Sequence, residues 1–394
     1  MAPHPLRGAA AVVGVADAAA PSGMLDGSVP QLEARMIREA LDDAGLTLAD
    51  VDGVSINNGL GWAPSLELAE RLGITPRWTD STQTGGSSFE IHVQHAAAAI
   101  ALGLAGVVVV VYASTPRSDF KAGTGGWGSR QAVGQNPQAE WERPHGLRMP
   151  MGAYALAASA HMHAFGTTSE QLAAIAVQTR EWAAMNPRAR LQERITVEDV
   201  LASPVEASPL HKLDCCLVTD GAGALVLTSA ERARTLAKPP AFVLGAGTAH
   251  THAMISQMPD LTETGGVVSG REAFRTAGLA PSDVDVVELY DSFTITVLLA
   301  LEDLGFCTKG EGGAFVAEGP LGPGGALPTN TNGGGLAYTH PGQYGMFLLV
   351  EAVRQLRGEG GDRQVPGAEV ALAHGSGGVL SALSTVILGT EATL

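Results

Sequence analysis

Cysteine is nearly absent from this chain. Its 394 residues hold three, an adjacent pair, Cys215-Cys216, and a distant Cys307. Neither a disulfide framework nor a metal-ligand spacing can be built from them, so no metal is expected. A chain without disulfides suits a reducing compartment, and a cytoplasmic location is expected. Positive charge is short as well. Lys and Arg number 24 against 40 Asp and Glu, a formal charge of −16. Such a field excludes nucleic acid and anionic membrane surfaces as partners held by overall charge. A phosphate-bearing substrate would need a local basic patch instead. Long apolar runs are missing too, and none approaches the ~20 residues of a membrane-spanning helix. The nearest imitation of a targeting segment comes after Arg7, in Gly8 to Val15 and the alanines Ala18 to Ala20. Asp17 interrupts it, and the expectation is a first buried strand from Ala10 to Ala16.

The remaining composition is that of a compact globular protein. Hydrophobic residues make up 45% and charged residues 16%, far from the disordered regime. The length allows two or three units of ordinary domain size, each able to bury a core. Fifty glycines suit a site built from backbone turns. Aromatics are only 5% of the chain, so an aromatic inside a motif carries more weight than usual.

Two distant segments repeat one pattern. Arg38-Glu39-Ala40, Ala44-Gly45-Leu46 and Asp50-Val51-Asp52 recur at the same spacing as Arg271-Glu272-Ala273, Ala277-Gly278-Leu279 and Asp283-Val284-Asp285. Each copy reads as an amphipathic helix stopped by glycine, a short capped loop and a buried strand. The segments downstream of the two copies also correspond. The Gly85-Gly86 turn precedes a helix with Phe89, Val93, Ala96 and Ile100 on one face, then a strand from Val107 to Val111. The Pro341-Gly342 turn precedes a helix through Leu348 and Val353, then a strand from Glu369 to Ala373. Helices alternating with continuous Val-rich strands imply parallel sheets covered on both faces. Two such halves placed face to face bring their equivalent turns together, and the site is expected there. Thr115 to Pro209 interrupts the pattern with Gly, Pro, Trp and Arg (Trp127, Arg130, Trp141, Arg143, Arg148), then turns helical from Gln171 to Met185. The expected organisation is an N-terminal half over 1–114, an inserted loop domain over 115–210, the rest of the first half over 211–240, and a C-terminal half over 241–394.

The densest motif runs from Asn332 to Gly345. A glycine-rich turn delivers His340 and Tyr344 to the start of an apolar helix carrying Met346, Phe347, Val350 and Val353. Backbone N–H groups at such a start can face an anion or a developing oxyanion. The box resembles the Gly-His-Pro box of the thiolase superfamily, with Thr339 in place of its glycine. Four more places carry the likeness, especially to the sterol-carrier-protein branch, and together they span nearly the whole chain. The turn Thr82 to Ser88 matches the nucleophile turn, with Gly86 at the cysteine position. Asp220-Gly221-Ala222-Gly223-Ala224 resembles the family's strand turn. Glu288-Leu289-Tyr290-Asp291-Ser292-Phe293 resembles a Glu-Leu-His-Asp-Cys-Phe box, with Tyr290 for the histidine and Ser292 for the cysteine. His374-Gly375-Ser376-Gly377-Gly378 resembles the terminal glycine loop. The resemblance implies an α/β fold of duplicated βαβαβαββ halves in a five-layer αβαβα arrangement.

It also implies a changed chemistry. Thiolases pass an acyl group through cysteine, and glycine offers no substitute. Cys215 and Cys216 precede a buried strand and read as packed thiols; Ser87 and Ser88 have no histidine placed to activate them. Tyr290 and Tyr344, with the gap at Gly86, resemble steroid side-chain aldolases that cleave a β-hydroxyacyl-CoA without covalent catalysis. Such cleavage needs a base at the β-hydroxyl, stabilisation of the enolate left on the thioester, and an acid at its α-carbon. Tyr290, Tyr344 and His340 are the expected catalytic residues. The thioester oxygen is expected to be held by His340 and the amides around Gly86 or Gly378. His374 is a supporting residue, and Asp291 either orients a tyrosine or histidine or caps a turn. His211 and the arginines of the insertion are candidates for CoA phosphates. Coenzyme A is part of the substrate, and no separate cofactor is expected. The alternative is a non-catalytic acyl-CoA-binding or assembly subunit. The resemblance further implies a homodimer joined by a small OB-fold, zinc-ribbon subunit in a heterotetramer. The interrupting segment, with Trp127 and Trp141 among glycines and arginines, is a candidate surface for that subunit.

Overall fold

The computed structural model describes residues 4–57, 63–124 and 137–394, so the expectations placed on Trp127 and Arg130 lie outside the described residues. Nine strands form the main sheet: β1 (Ala10–Ala18), β2 (Gly53–Ile56), β3 (Trp78–Asp80), β4 (Val107–Ser114), β5 (Gly221–Ser229), β6 (Ala241–His250), β7 (Val286–Leu289), β8 (Val370–Gly377) and β9 (Ala382–Gly389). The helices that matter for the site are α1 (Val29–Ala44), α2 (Ser88–Ala101), α3 (Met151–Phe165), α4 (Ser169–Ala184), α5 (Gly266–Ala277), α6 (Thr294–Asp303) and α7 (Gly345–Leu356).

The duplication is carried into three dimensions. Helices α1 and α5 both end at a left-handed glycine, Gly45 at φ 68° and Gly278 at φ 67°. In each copy an aspartate then clamps the start of a neighbouring strand. Asp52 Oδ1 accepts from the Gly106 and Val107 N–H groups at 2.7 and 2.9 Å. Asp285 Oδ2 accepts from Glu369 and Val370, both at 2.9 Å. The strand order β3-β2-β4-β5-β1-β6-β9-β8-β7 is two matching runs, β2-β4-β5-β1 and β7-β8-β9-β6, laid end to end. They meet through a short antiparallel junction, Ala11 with Phe242 and Val12 with Ala241. The two halves therefore share one continuous sheet. It is mixed, not parallel as expected: β2–β3, β2–β4 and β7–β8 pair in parallel, whereas β4–β5, β5–β1, β1–β6, β6–β9 and β9–β8 are antiparallel. Strand β9 follows β8 after only Gly378 to Ser381, too short a link for the crossover a parallel pair needs.

Strand side chains alternate between two cores, as a pleated strand requires. Val107, Val109 and Val111 pack with α1 residues such as Met36 and Ala40 on the outside. Val108 and Val110 pack inward with Phe89 and Val93 of α2 and Leu349 and Val353 of α7. Each such side chain contributes roughly 1.5–3 kcal/mol by leaving water. Helices α2 and α7 are thus the middle layer, enclosed by the two halves of the sheet, with α1 and α5 outside: five layers. Their N-termini converge. A Cβ on Gly345 would lie 2.3 Å from the Gly86 carbonyl oxygen, so the two equivalent turns touch.

The segment expected as an inserted loop region is largely helical among its described residues. Helix α3 departs from that expectation, because its alanine-rich sequence shows no amphipathic period. Helix α4 starts two residues before the expected Gln171, where Thr168 caps it by accepting from the Gln171 N–H.

Candidate active site

A cavity of about 210 Å³ opens where the two turns meet, with Gly86, Tyr290, His340 and Gly378 on its wall. Tyr290 comes directly after β7, and its backbone N–H donates to the His374 carbonyl at 2.9 Å. Its hydroxyl lies 3.0 Å from His340 Nε2 and 3.3 Å from the Gly342 carbonyl. His340 is fixed from behind: its N–H donates to Thr219 Oγ1 at 2.8 Å, and Thr219 Oγ1 meets Thr339 Oγ1 at 2.7 Å. That pairing gives the threonine at 339 a definite role in place of glycine. Burial pushes the His340 imidazole down to about 4, so it is neutral and keeps a lone pair. Burial also raises the Tyr290 phenol well above its ordinary value, so it is a protonated donor.

Gly86 lies against Tyr290. A Cβ at that position would sit 2.0 Å from Tyr290 Cε2, 2.6 Å from Cζ and 2.5 Å from the Ser376 carbonyl oxygen. The tyrosine ring therefore fills the space any side chain at 86 would need. Ser87 and Ser88 brace their own turn, Ser87 Oγ against Thr84 Oγ1 at 3.0 Å and Ser88 Oγ donating to the Gly85 carbonyl at 2.7 Å.

The other expected residues occupy different stations. Tyr344 lies one layer behind the wall, fully buried, its ring edge-on to Tyr290 at 6.0 Å and stacked on His340 at 6.2 Å. Its hydroxyl donates to Asn332 Oδ1 at 2.8 Å. Asp291 accepts from the Gly335 and Leu336 N–H groups at 2.6 and 3.1 Å, which caps the turn leading to His340. Burial lifts its carboxyl to about 7 despite those two bonds. The His374 side chain points to Thr385 Oγ1 at 2.8 Å, and burial pushes it down to about 4. Gly378 is on the wall in a left-handed conformation, φ 62°. His211, Arg143 and Arg148 do not line the cavity. Among the described residues no group of three or more His, Cys, Asp or Glu could hold a metal, and no helix is long and apolar enough to cross a membrane.

Family models match both parts of the chain: the thiolase N-terminal domain over residues 15–231 and the thiolase C-terminal domain-like model over 247–390. The chain belongs to the thiolase family. It is 38% identical to a steroid side-chain-cleaving aldolase of Thermomonospora curvata, over 98% of this chain and 99% of that one. It is also 38% identical to a 17-hydroxy-3-oxo-4-pregnene-20-carboxyl-CoA lyase of Mycobacterium tuberculosis, over 98% and 100%. The solved Ltp2-ChsH2(DUF35) aldolase superposes with a TM-score of 0.86 at 35% identity, covering 98% of this chain and 99% of that one. An acetyl-CoA acetyltransferase is among the relatives as well, so the chemistry must be read from the site.

Within this thiolase fold, the wall also holds Ser292 and Phe293 of the Glu288–Phe293 box and Cys216, none of them expected as site groups, and two residues outside every motif, Pro150 and Tyr154. Tyr154, from α3, stacks on Phe293 with ring centroids 4.4 Å apart. Cys216, read as a packed thiol, borders the cavity. Burial and the nearby Asp291 and Cys215 raise it well above the ordinary thiol value, so it is a poor nucleophile. Cys215 donates to the His211 carbonyl at 3.3 Å and is pushed up to about 12 by burial. Beneath the Gly86 turn lies one more unforeseen group, Glu90. It is fully buried with neither carboxyl oxygen hydrogen-bonded, and burial raises it to about 8.

Proposed function

We propose that this chain is a carbon–carbon lyase that cleaves a β-hydroxyacyl-CoA thioester by a retro-aldol reaction. The products are a ketone or aldehyde and a short acyl-CoA. The observation that carries the reading is the mutual occupancy of Gly86 and Tyr290: the space for a covalent nucleophile holds a phenol paired with a neutral imidazole. Cleavage of this kind has no acyl-enzyme step, so the missing cysteine costs it nothing. Full-length relatives named as an aldolase and as a CoA lyase support the same reading, and their names support a steroid side chain as the acyl group.

In this scheme Tyr290 takes the β-hydroxyl proton as its own passes to His340 Nε2, a transfer that geometry and a neutral imidazole both permit. Tyr344 backs this pair through ring contacts and its Asn332 bond. The thioester oxygen is assigned to backbone N–H groups around Gly86 and Gly378, because His340 Nε2 is engaged by Tyr290. Asp291 positions His340 by capping the intervening turn. Coenzyme A enters as part of the substrate, with no other cofactor.

The working assembly we propose is a cytoplasmic homodimer joined by a small OB-fold, zinc-ribbon subunit. The two components named in the solved Ltp2-ChsH2(DUF35) aldolase support a partner subunit. The test of the reaction is incubation with a panel of β-hydroxyacyl-CoA thioesters, with and without such a subunit, read by mass spectrometry. Release of a carbonyl compound and a shortened acyl-CoA is expected.

A further inference from the structure

A retro-aldol cleavage moves two protons at two places. One leaves the β-hydroxyl and one arrives at the α-carbon. The Tyr290–His340 pair can serve only one of these at a time, because a single proton is shared between the two groups. A second proton-bearing side chain on the same cavity lets the proton at the α-carbon come from a group of its own.

All five tyrosines of the chain are buried, so burial alone selects none of them. Their hydroxyl contacts do. Tyr112 donates to the Pro341 carbonyl at 2.8 Å, Tyr344 to Asn332 at 2.8 Å, and Tyr338 to Asp17. Tyr290 meets His340 at 3.0 Å. Tyr154 differs: its hydroxyl reaches the Gly378 carbonyl only at 3.5 Å, the outer limit of a hydrogen bond, with the Ser292 hydroxyl alongside. Only Tyr154 and Tyr290 line the cavity. The stack of Tyr154 on Phe293 fixes its ring while leaving its hydroxyl the most loosely held of the five.

We infer that Tyr154 is a further catalytic residue, the acid that delivers a proton to the α-carbon of the enolate after the C–C bond breaks. The inference rests on the retro-aldol reading above. Direction is set by the neighbours. Tyr290 has an imidazole lone pair to pass a proton to, so it can take one. Tyr154 has a carbonyl and a hydroxyl beside it, neither of them a base, so it can give one but not relay one. Burial agrees, pushing its phenol up to about 12 and keeping it protonated. The balance closes. The β-hydroxyl proton ends on His340 as the carbonyl product forms, and the Tyr154 proton ends on the α-carbon. The bond electrons become the enolate and then the new C–H bond, and solvent carries the proton from His340 back to Tyr154.

The test is Tyr154→Phe, which keeps the ring and its stack. Two readouts are taken: cleavage of the β-hydroxyacyl-CoA, and exchange of α-protons of the short acyl-CoA product in D2O. Turnover is expected to fall by ~100-fold with KM little changed, the scale of a general acid, and α-exchange to fall in parallel at an unaltered melting temperature. Retained turnover and exchange would overturn the assignment while leaving the reaction intact. Wild-type enzyme that exchanges α-protons but cleaves nothing would overturn the reaction, with Tyr154→Phe still deciding the role of Tyr154 in exchange. If the variant loses stability, a fluorinated, more acidic tyrosine at 154 replaces it. The alkaline limb of the pH–rate profile must then move to lower pH, and an unmoved limb overturns the inference.

Discussion

Gly86→Ala is the smallest change that touches the feature on which the site depends. Gly86 is absent from the positive-φ residues, so alanine is conformationally allowed there and its cost is steric. The added methyl would sit 2.0 Å from Tyr290 Cε2 and 2.5 Å from the Ser376 carbonyl oxygen. Carbon atoms rest at ~3.5–4.0 Å, so one partner must retreat by more than ~1 Å. The Ser376 oxygen is part of the β8 backbone, fixed by the pairing of that strand with β9, which leaves the Tyr290 ring to move. That ring is packed edge-on against both His340 and Tyr344, so it has nowhere free to go. Overpacking of this kind costs roughly 1–3 kcal/mol. Displacing a proton-transfer group by ~1 Å costs on the order of 100-fold in rate. Denaturant titration and steady-state turnover measure the two effects separately. In a Tyr290→Ala background the share of the cost due to the ring should vanish while the 2.5 Å contact with the Ser376 oxygen remains, a coupling of about 1 kcal/mol or more between residues in contact. Wild-type midpoint and turnover in Gly86→Ala would refute the claim that Tyr290 fills the nucleophile space.

The same geometry sets two further outcomes. Tyr290→Phe should lower turnover by at least ~100-fold, whereas Tyr344→Phe, acting from behind the wall, should lower it by about 10-fold; steady-state kinetics on both variants checks the order. Glu90→Gln should stabilise the protein increasingly as pH rises. The Glu90 carboxyl moves from 4.5 to about 8 on burial, so above pH 4.5 the unfolded chain gives up a proton that the folded chain keeps. Stability is then lost as pH rises toward about 8, roughly 3 kcal/mol by pH 7. The variant lacks that loss, and denaturation midpoints at pH 5 and pH 8 should show a gap of under ~1 kcal/mol at the first and a several-fold larger one at the second.

Much of the fold is legible in the sequence because its signals are local. The glycine stops at 45 and 278, the aspartates at 52 and 285, and the strands beside them repeat within short windows, so the duplicated fold can be read twice. Gly86, Tyr290 and His340 sit in motif boxes, and all three border the cavity. The features that cannot be read are set by packing between distant segments. The junction of β1 with β6 joins the halves through two residue pairs that no local pattern marks. Tyr290 and Tyr344 look equivalent in sequence, yet one hydroxyl meets His340 and the other Asn332. Tyr154 is hidden because α3 is apolar around its circumference, so nothing in its spacing says which side chain faces a cavity. The scarcity of tyrosine is the one available signal, and outside the motif boxes it favours no position.

The most direct measurement is product analysis by mass spectrometry with no added free CoA. With β-hydroxyacyl-CoA thioesters as substrate, the retro-aldol mechanism predicts a carbonyl compound and a shortened acyl-CoA in equal amounts. Acetoacetyl-CoA, offered with free CoA to the same preparation, should be left intact. Thiolysis of acetoacetyl-CoA at ordinary thiolase rates, persisting after replacement of Cys215, Cys216 and Cys307, together with no cleavage of any β-hydroxyacyl-CoA, would contradict it.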